Sequence, residues 1–300
     1  MTMRRTGRRR RPQQAGSSRR TAGAVIALVL VIAAGIAAAV LVASRAPREA
    51  LPWARLGTED VHSLVFAGGG TDRILFGHHG GLLASADGGR TWEALPVGED
   101  AMSTATSADG SIVIAGHEVF RASRDGGATW ASIATDLPSL DIHGFARDPV
   151  DPARMWAYPV TGGLWESTDG GATFRQVRTD NVLYPTAVAG ASTTRLLGVD
   201  ATGLIESADG GRTWSPLAMP PTFPMTGFAA SADGRILYAG AQDGLYRSAD
   251  GGRSWAATAY TSSVFALAAS PDGRTVILVD RATEFFRSDD GGATWPGPGG

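Results

Sequence analysis

SADGGRTW, residues 85–92, returns five more times along the chain: SRDGGATW at 123–130, STDGGATF at 167–174, SADGGRTW at 207–214, SADGGRSW at 248–255 and SDDGGATW at 288–295. The leading serines, Ser85, Ser123, Ser167, Ser207, Ser248 and Ser288, stand 38, 44, 40, 41 and 40 residues apart. A period near forty belongs to stacked or radial β-architectures of about four strands per unit, so the spacing predicts six such units.

The order of residues inside each copy suits a tight hairpin. Asp87 and its equivalents Asp125, Asp169, Asp209, Asp250 and Asp290 can accept backbone N–H groups from residues further along and close the turn from inside. The paired glycines tolerate positive φ. An aromatic then opens the next strand: Trp92, Trp130, Phe174, Trp214, Trp255 or Trp295, each worth roughly 2 to 3 kcal/mol when buried. Six anchors at one repeat position are a framework, and the six aspartates are expected to be structural.

Upstream of each copy lie short apolar or alternating runs that read as strands, such as HSLVFA, RILFG, SIVIAG, MWAYPV, RLLGVD, RILYAG, VFALAAS and TVILVD. Turn signals including SADGS, RDPVDPAR, SADGR and SPDGR separate the first two runs of a unit. A third run enters the octapeptide, with Leu83, Trp165, Ile205, Tyr246 and Phe286 two residues before its serine. Arg121 breaks that pattern in the second unit, which predicts a third strand shifted by one residue there.

The octapeptides resemble the Asp-box, or bacterial neuraminidase, repeat, and the resemblance covers about residues 52–300. It implies an all-β fold, a six-bladed β-propeller of the sialidase-like superfamily with Asp-box hairpins between the third and fourth strands of each blade. It does not imply catalysis, because the repeat lies at the blade periphery and recurs in noncatalytic propellers. Only PGPGG follows Trp295, and Pro52-Trp53-Ala-Arg-Leu56 echoes the fourth-strand runs after Trp92 and Trp214. Residues 52–57 are therefore expected to complete the last blade, leaving no open edge.

Composition supports a turn-rich β domain: 43% of the 300 residues are hydrophobic, enough for a sizeable core, and 40 are glycine. With no cysteine, disulfides, thiolate nucleophiles and cysteine-based zinc sites are excluded. Eight arginines and no acid precede the apolar run at 21–43, whereas residues 44–300 carry 19 arginines and 29 acids, a balance of −10. So acidic a domain is a poor partner for nucleic acid.

Residues 21–43, TAGAVIALVLVIAAGIAAAVLVA, hold no charge and would span roughly 34 Å as a helix, against about 30 Å of membrane hydrocarbon. The expected organisation is a basic cytoplasmic tail at 1–20, a transmembrane signal anchor at 21–43, a linker at 44–51 and the propeller at 52–300. The arginines before the apolar run place the N-terminus in the cytoplasm, a single-pass topology with the propeller outside the cell membrane. A cleaved signal peptide ending near Ser44-Arg45-Ala46 and a twin-arginine signal at Arg19-Arg20 are the alternatives; the length of the run favours the anchor.

In this topology the turns between second and third strands share a face with the connectors between blades, and the repeated hairpins share the other. The first face collects His62, His78, His79, His117, Glu118 and His143, with Tyr158, Tyr184, Asp200, Asp243, Tyr260, Asp280, Arg281 and Glu284 elsewhere on it. All five histidines of the chain belong to three adjacent units, and imidazoles gathered at a propeller mouth, with Glu118 or Asp141, could bind a metal or exchange protons. Solvated or backbone-bonded loop histidines are the bland alternative, since no known metal spacing is present, and no cofactor is implied. The segments VHSL, FGHHGGL and DIHGF resemble membrane-anchored bacterial Asp-box proteins labelled glycosyl hydrolases.

A sialidase needs three convergent arginines, a Tyr–Glu nucleophile pair, an acid/base Asp and, by resemblance, an Arg-Ile-Pro-like segment before the first box. That segment is missing at Trp53-Ala-Arg55-Leu56-Gly57, and only Arg178 and Arg281 fall on the ligand face. Other glycosidases need two carboxylates roughly 5 to 9.5 Å apart, for which Asp200, Asp243, Asp280 and Glu284 are candidates. Catalytic residues are thus unassigned. The expected function is noncatalytic binding of a glycan or envelope protein by a membrane-anchored extracytoplasmic propeller. The alternatives are a sialidase-like glycoside hydrolase with a site near His78 and Asp280 and, third, an assembly factor resembling the propellers that assist photosystem biogenesis.

Overall fold

The computed structural model describes Thr58, residues 60–190 and residues 193–296. The anchor at 21–43, the linker at 44–51 and the closing strand at 52–57 lie outside the described residues. Among the described residues no helix is long and apolar enough to cross a membrane.

The protein is a six-bladed β-propeller. Six antiparallel sheets follow one another along the chain, each with its strands in sequence order. The first strands are Ser63–Phe66, Ser103–Thr106, Ile142–Arg147, Leu183–Ala189, Gly227–Ala230 and Val264–Ala269. Each packs against the first strand of the next blade, and the last of them packs against Ser63–Phe66, so the six close a ring around a central channel. Five sheets have four strands, the outermost being as short as Glu93–Ala94; the sixth has three among the described residues.

Second strands such as Ile74–His78 and Ile112–Gly116 are almost continuously apolar and buried. A strand in the middle of a blade is covered on both faces by neighbouring blades, so alternation gives way to an unbroken apolar run. The hydrophobic clusters accordingly lie between blades. One joins Phe76 and Ile74 of blade 1 to Val279 and Phe285 of blade 6, and five similar clusters fill the other seams. Every repeat aromatic packs into the seam with the preceding blade: Trp92 into the blade 6–1 cluster, Trp130 into 1–2, Phe174 into 2–3, Trp214 into 3–4, Trp255 into 4–5 and Trp295 into 5–6.

The six Ser-x-Asp-Gly-Gly turns share one hydrogen-bond pattern. The serine hydroxyl, buried in each case, donates to the aspartate at 2.7–2.9 Å and accepts the N–H of the second glycine at 2.7–2.9 Å. The hydroxyl of Thr91, Thr129, Thr173, Thr213, Ser254 or Thr294 donates to the same carboxylate at 2.6 Å. Gly89 must be glycine for two reasons: its φ is +95°, and a Cβ there would sit 2.4 Å from Phe285 of blade 6.

The expected strand shift in the second unit does not occur. Arg121 pairs with Ile114 in the register that Leu83 holds with Phe76, and its guanidinium reaches Glu99 at 2.7 Å. An arginine stem can occupy an apolar position when its head finds a carboxylate at the rim.

Candidate functional site

The face opposite the serine–aspartate turns carries the connectors between blades and the turns between second and third strands. Blade 1 contributes His62, just ahead of Ser63–Phe66, and His78 and His79 at the turn from Ile74–His78 to Gly81–Ser85. The connector to blade 2 contributes Asp100, and the turn from Ile112–Gly116 to Val119–Ser123 contributes His117 and Glu118. Asp141 and His143 stand at the start of the first strand of blade 3. The backbone holds this corner tightly: the His62 N–H donates to the Gly77 carbonyl at 2.9 Å, and a Cβ on Gly77 would lie 2.3 Å from the Ala101 carbonyl oxygen.

Four of the five histidines meet. His62 Nε2 is 3.0 Å from His79 Nδ1. The ring of His79 stacks 6.1 Å from that of His117, which lies edge-on 5.6 Å from His143, and His143 in turn faces Tyr158 at 6.5 Å. Three aspartates interleave with them. Asp60 accepts the backbone N–H of His79 at 3.0 Å and also contacts its Nδ1. Asp100 Oδ2 is 2.6 Å from His117 Nδ1, and Asp100 Oδ1 is 3.8 Å from His62 Nε2. Asp141 Oδ1 lies 2.9 Å from His143 Nε2 and 3.3 Å from His117 Nε2.

The electrostatics follow from burial and from these contacts. Burial pushes His62 and His78 below the ordinary imidazole value, outweighing Asp100 and Asp60. Its contact with the Asp60 carboxylate pulls exposed His79 upward. Burial works against the Asp60 anion, yet the hydrogen bonds from His79 outweigh it and hold that carboxyl below its ordinary value.

The remaining candidates separate from the cluster. The His78 ring turns aside, its Nδ1 accepting the Gly80 N–H at 3.0 Å. Glu118 sits exposed on its turn at φ 58°, so of Glu118 and Asp141 it is Asp141 that joins the imidazoles, beside Asp60 and Asp100. Asp200 is held by Arg178 at 2.7 Å and by the Thr202 hydroxyl at 2.6 Å. Asp243 accepts the hydroxyls of Thr222 and Tyr246 at 2.8 and 3.0 Å. Asp280 closes its own turn through the N–H groups of Ala282 and Glu284 at 2.8 and 2.9 Å. Tyr260 stands on this face, its carbonyl accepting the Leu245 N–H at 3.1 Å, but its ring is buried in the blade 5–6 seam against Phe286 and Trp295, and burial drives its phenol far above the ordinary value.

A cavity of about 530 Å³ occupies the channel, lined by all six first strands. At its mouth His62, His143 and Arg281 meet Tyr184 and Phe265, whose rings are left 38% and 43% exposed. A second cavity, about 860 Å³, lies away from the histidines between blades 2 and 3, bordered by Trp130 and Arg147.

Asp60 and Asp100 were missed as site residues in the sequence, although a signal existed. Asp60, Asp100 and Asp141 recur at the blade period, and His62 and His143 each stand two residues after such an aspartate.

The DUF6242 β-propeller domain matches residues 117–235. No curated protein matches the chain. Among solved structures, the chain is similar to the GH74 xyloglucanase of Xanthomonas campestris, at 24% identity over 76% of this chain and 36% of that one, with a TM-score of 0.52. It therefore spans about a third of that enzyme. It is also similar to YCF48 from Cyanidioschyzon merolae, at 18% identity over 81% of this chain and 86% of that one, with a TM-score of 0.52. YCF48 bound to D1 peptide matches at 16% identity over 76% and 78% of the two chains, again at 0.52. At these identities the likeness is one of fold.

Proposed function

We propose that this chain is a binding propeller of the cell envelope, tethered by residues 21–43, which takes a glycan or protein partner at the mouth of its central channel without turning it over. The observation that carries this reading is the channel cavity, where Tyr184 and Phe265 offer exposed aromatic surface beside the polar groups of His143 and Arg281. An apolar concavity with a few convergent polar groups is the usual form of a ligand site. Of the carboxylates read as hydrolytic candidates, Asp200, Asp243 and Asp280 are each engaged by local partners, which favours binding over turnover by them. YCF48, seen with D1 peptide, is a propeller of this fold with a protein segment bound. We read the six serine–aspartate turns as Asp boxes that serve as scaffold.

The test uses the full chain in detergent, on a glycan array and in cross-linking to envelope extract, with released sugar measured in parallel. Expected is binding without sugar release, weakened about tenfold by Tyr184→Ala and by Phe265→Ala. Sugar release would replace this reading with the glycoside hydrolase; binding indifferent to both substitutions would move the site out of the channel. A reporter fused after residue 300 should be active outside the cytoplasm, and activity inside would overturn the envelope location.

A further inference from the structure

The aromatic channel mouth does not account for the aspartates and histidines beside it, whose contacts do not make a finished hydrogen-bond network. The single proton of a neutral His79 Nδ1–H cannot serve both the Asp60 carboxylate and His62 Nε2, which lies 3.0 Å away. Asp100 is worse placed: its side chain is 9% exposed, and both carboxylate oxygens are buried without a hydrogen bond. His117 comes to 2.6 Å from one of them without hydrogen-bond geometry. A buried carboxylate left this way costs a few kcal/mol unless something positive occupies the space.

We propose that Asp60, His62, His79 and Asp100 form a binding site for a divalent cation of zinc chemistry. The ligand atoms of Asp60, His62 and His79 lie within 4.8 Å of one another, as do those of His79, Asp100 and His117. Four ligands arranged tetrahedrally about zinc, with bonds near 2.1 Å, stand roughly 3.3 Å apart. The distances from His62 Nε2 bracket that value: 3.0 Å to His79, 3.8 Å to Asp100 and 4.0 Å to Asp60. The two triads share His79, so a turn of the His79 ring brings Asp100 and the Asp60–His62 pair to one ion. Two imidazoles select a borderline transition ion over calcium or magnesium, which take all-oxygen shells.

An outer layer is in place as well. Asp141 faces His117 Nε2, and the other nitrogen of His117 faces Asp100. With the ion bound, a turn of the His117 ring would complete this as a carboxylate–imidazole chain that orients Asp100 from behind. The ion would convert an unsatisfied buried anion and a crowded pair of imidazoles into one closed shell. It would sit beside the channel, where His62 also lines the cavity.

The five histidines of the chain all lie in this region and cysteine is absent, so imidazole-dependent binding has no other origin. The full chain, stripped with chelator, is dialysed against zinc and assayed by elemental analysis, with affinity from competition titration. Expected is one zinc per chain, unaffected by excess calcium or magnesium. His62→Gln and His79→Gln should each weaken binding about 100-fold or more, and His117→Gln about tenfold, as outer-layer losses do. His143→Gln should leave it unchanged, and zinc should raise the unfolding temperature of the wild type but not of His79→Gln. His79 is exposed, so that variant folds whatever befalls the buried Asp100→Asn. No stoichiometric zinc, wild-type affinity in His62→Gln or in His79→Gln, displacement by calcium, or a loss confined to His143→Gln would each overturn the site.

Discussion

The turn face and the histidine corner of the opposite face treat their aspartates in opposite ways. On the turn face every repeat aspartate accepts a serine hydroxyl, a threonine or serine hydroxyl and at least one backbone N–H, and the pattern recurs six times with distances that hardly vary. On the histidine face Asp100 is buried without a hydrogen bond, and Asp60 shares one imidazole nitrogen with a second histidine. A carboxylate saturated by its own turn is scaffold. A carboxylate left wanting, beside others like it, marks a place where the chain holds free energy for a ligand.

The contrast can be broken by mutation, most forcefully in a seam. Gly89→Ala combines a disallowed φ with a clash on Phe285, so about 3 kcal/mol of stability should be lost in urea denaturation. Gly110, at φ +82° but in open space, makes the control: Gly110→Ala should cost only about 1 kcal/mol. If the two cost the same, the turn glycines are conserving backbone shape alone and the seam contact is unimportant. Next comes Ser207→Ala, which strands the buried Gly211 N–H and removes a donor from Asp209, for about 2 kcal/mol.

Acid titration sharpens the same contrast. Hydroxyl hydrogen bonds from Thr91, Thr129, Thr173, Thr213 and Thr294, then their backbone N–H groups, hold Asp87, Asp125, Asp169, Asp209 and Asp290 at about 2 against an ordinary 3.8. A depressed carboxyl stabilises the fold above its unfolded value and ceases to do so as pH falls through its folded value. Urea midpoints should therefore fall most steeply between about pH 4 and pH 2, beyond the earlier loss that half-buried His62 and His78 cause below about pH 6.5; a midpoint unchanged from pH 4 to pH 2 would refute the role of these turns. The smallest effect has the opposite sign. In metal-free protein at pH 8, Asp100→Asn should raise stability by about 1 kcal/mol, because it removes a buried charge with no hydrogen bond. A loss of stability there would make Asp100 a structural residue like those on the turn face.

Much of the fold was legible in the sequence because the same turn chemistry is written six times. Blade number and the anchoring aromatics follow from positions that recur, and recurrence cancels local noise; that those aromatics lie in the seams does not. The site was legible only as a gathering of histidines. Which imidazoles touch depends on ring orientation, and His78 and His79 are adjacent in sequence yet only His79 joins the cluster. Tyr260 stands on the expected face, but that its ring turns into the seam is a tertiary matter invisible in a forty-residue period. Arg121 misled for a related reason, since its partner Glu99 lies on the blade connector, outside the repeat motif.

Each repeat aromatic is carried by one blade and sits half-buried against the joint with the blade before it. The unit that is duplicated in the sequence is therefore out of phase with the unit that coheres. A blade has no interior of its own, and the joint between blades 6 and 1 is made of the same kind of residues as any other. Loosening one joint exposes two apolar surfaces at once while leaving the remaining joints intact. Unfolding by single blades is thus disfavoured, and the ring should melt in one concerted step despite being built of repeats.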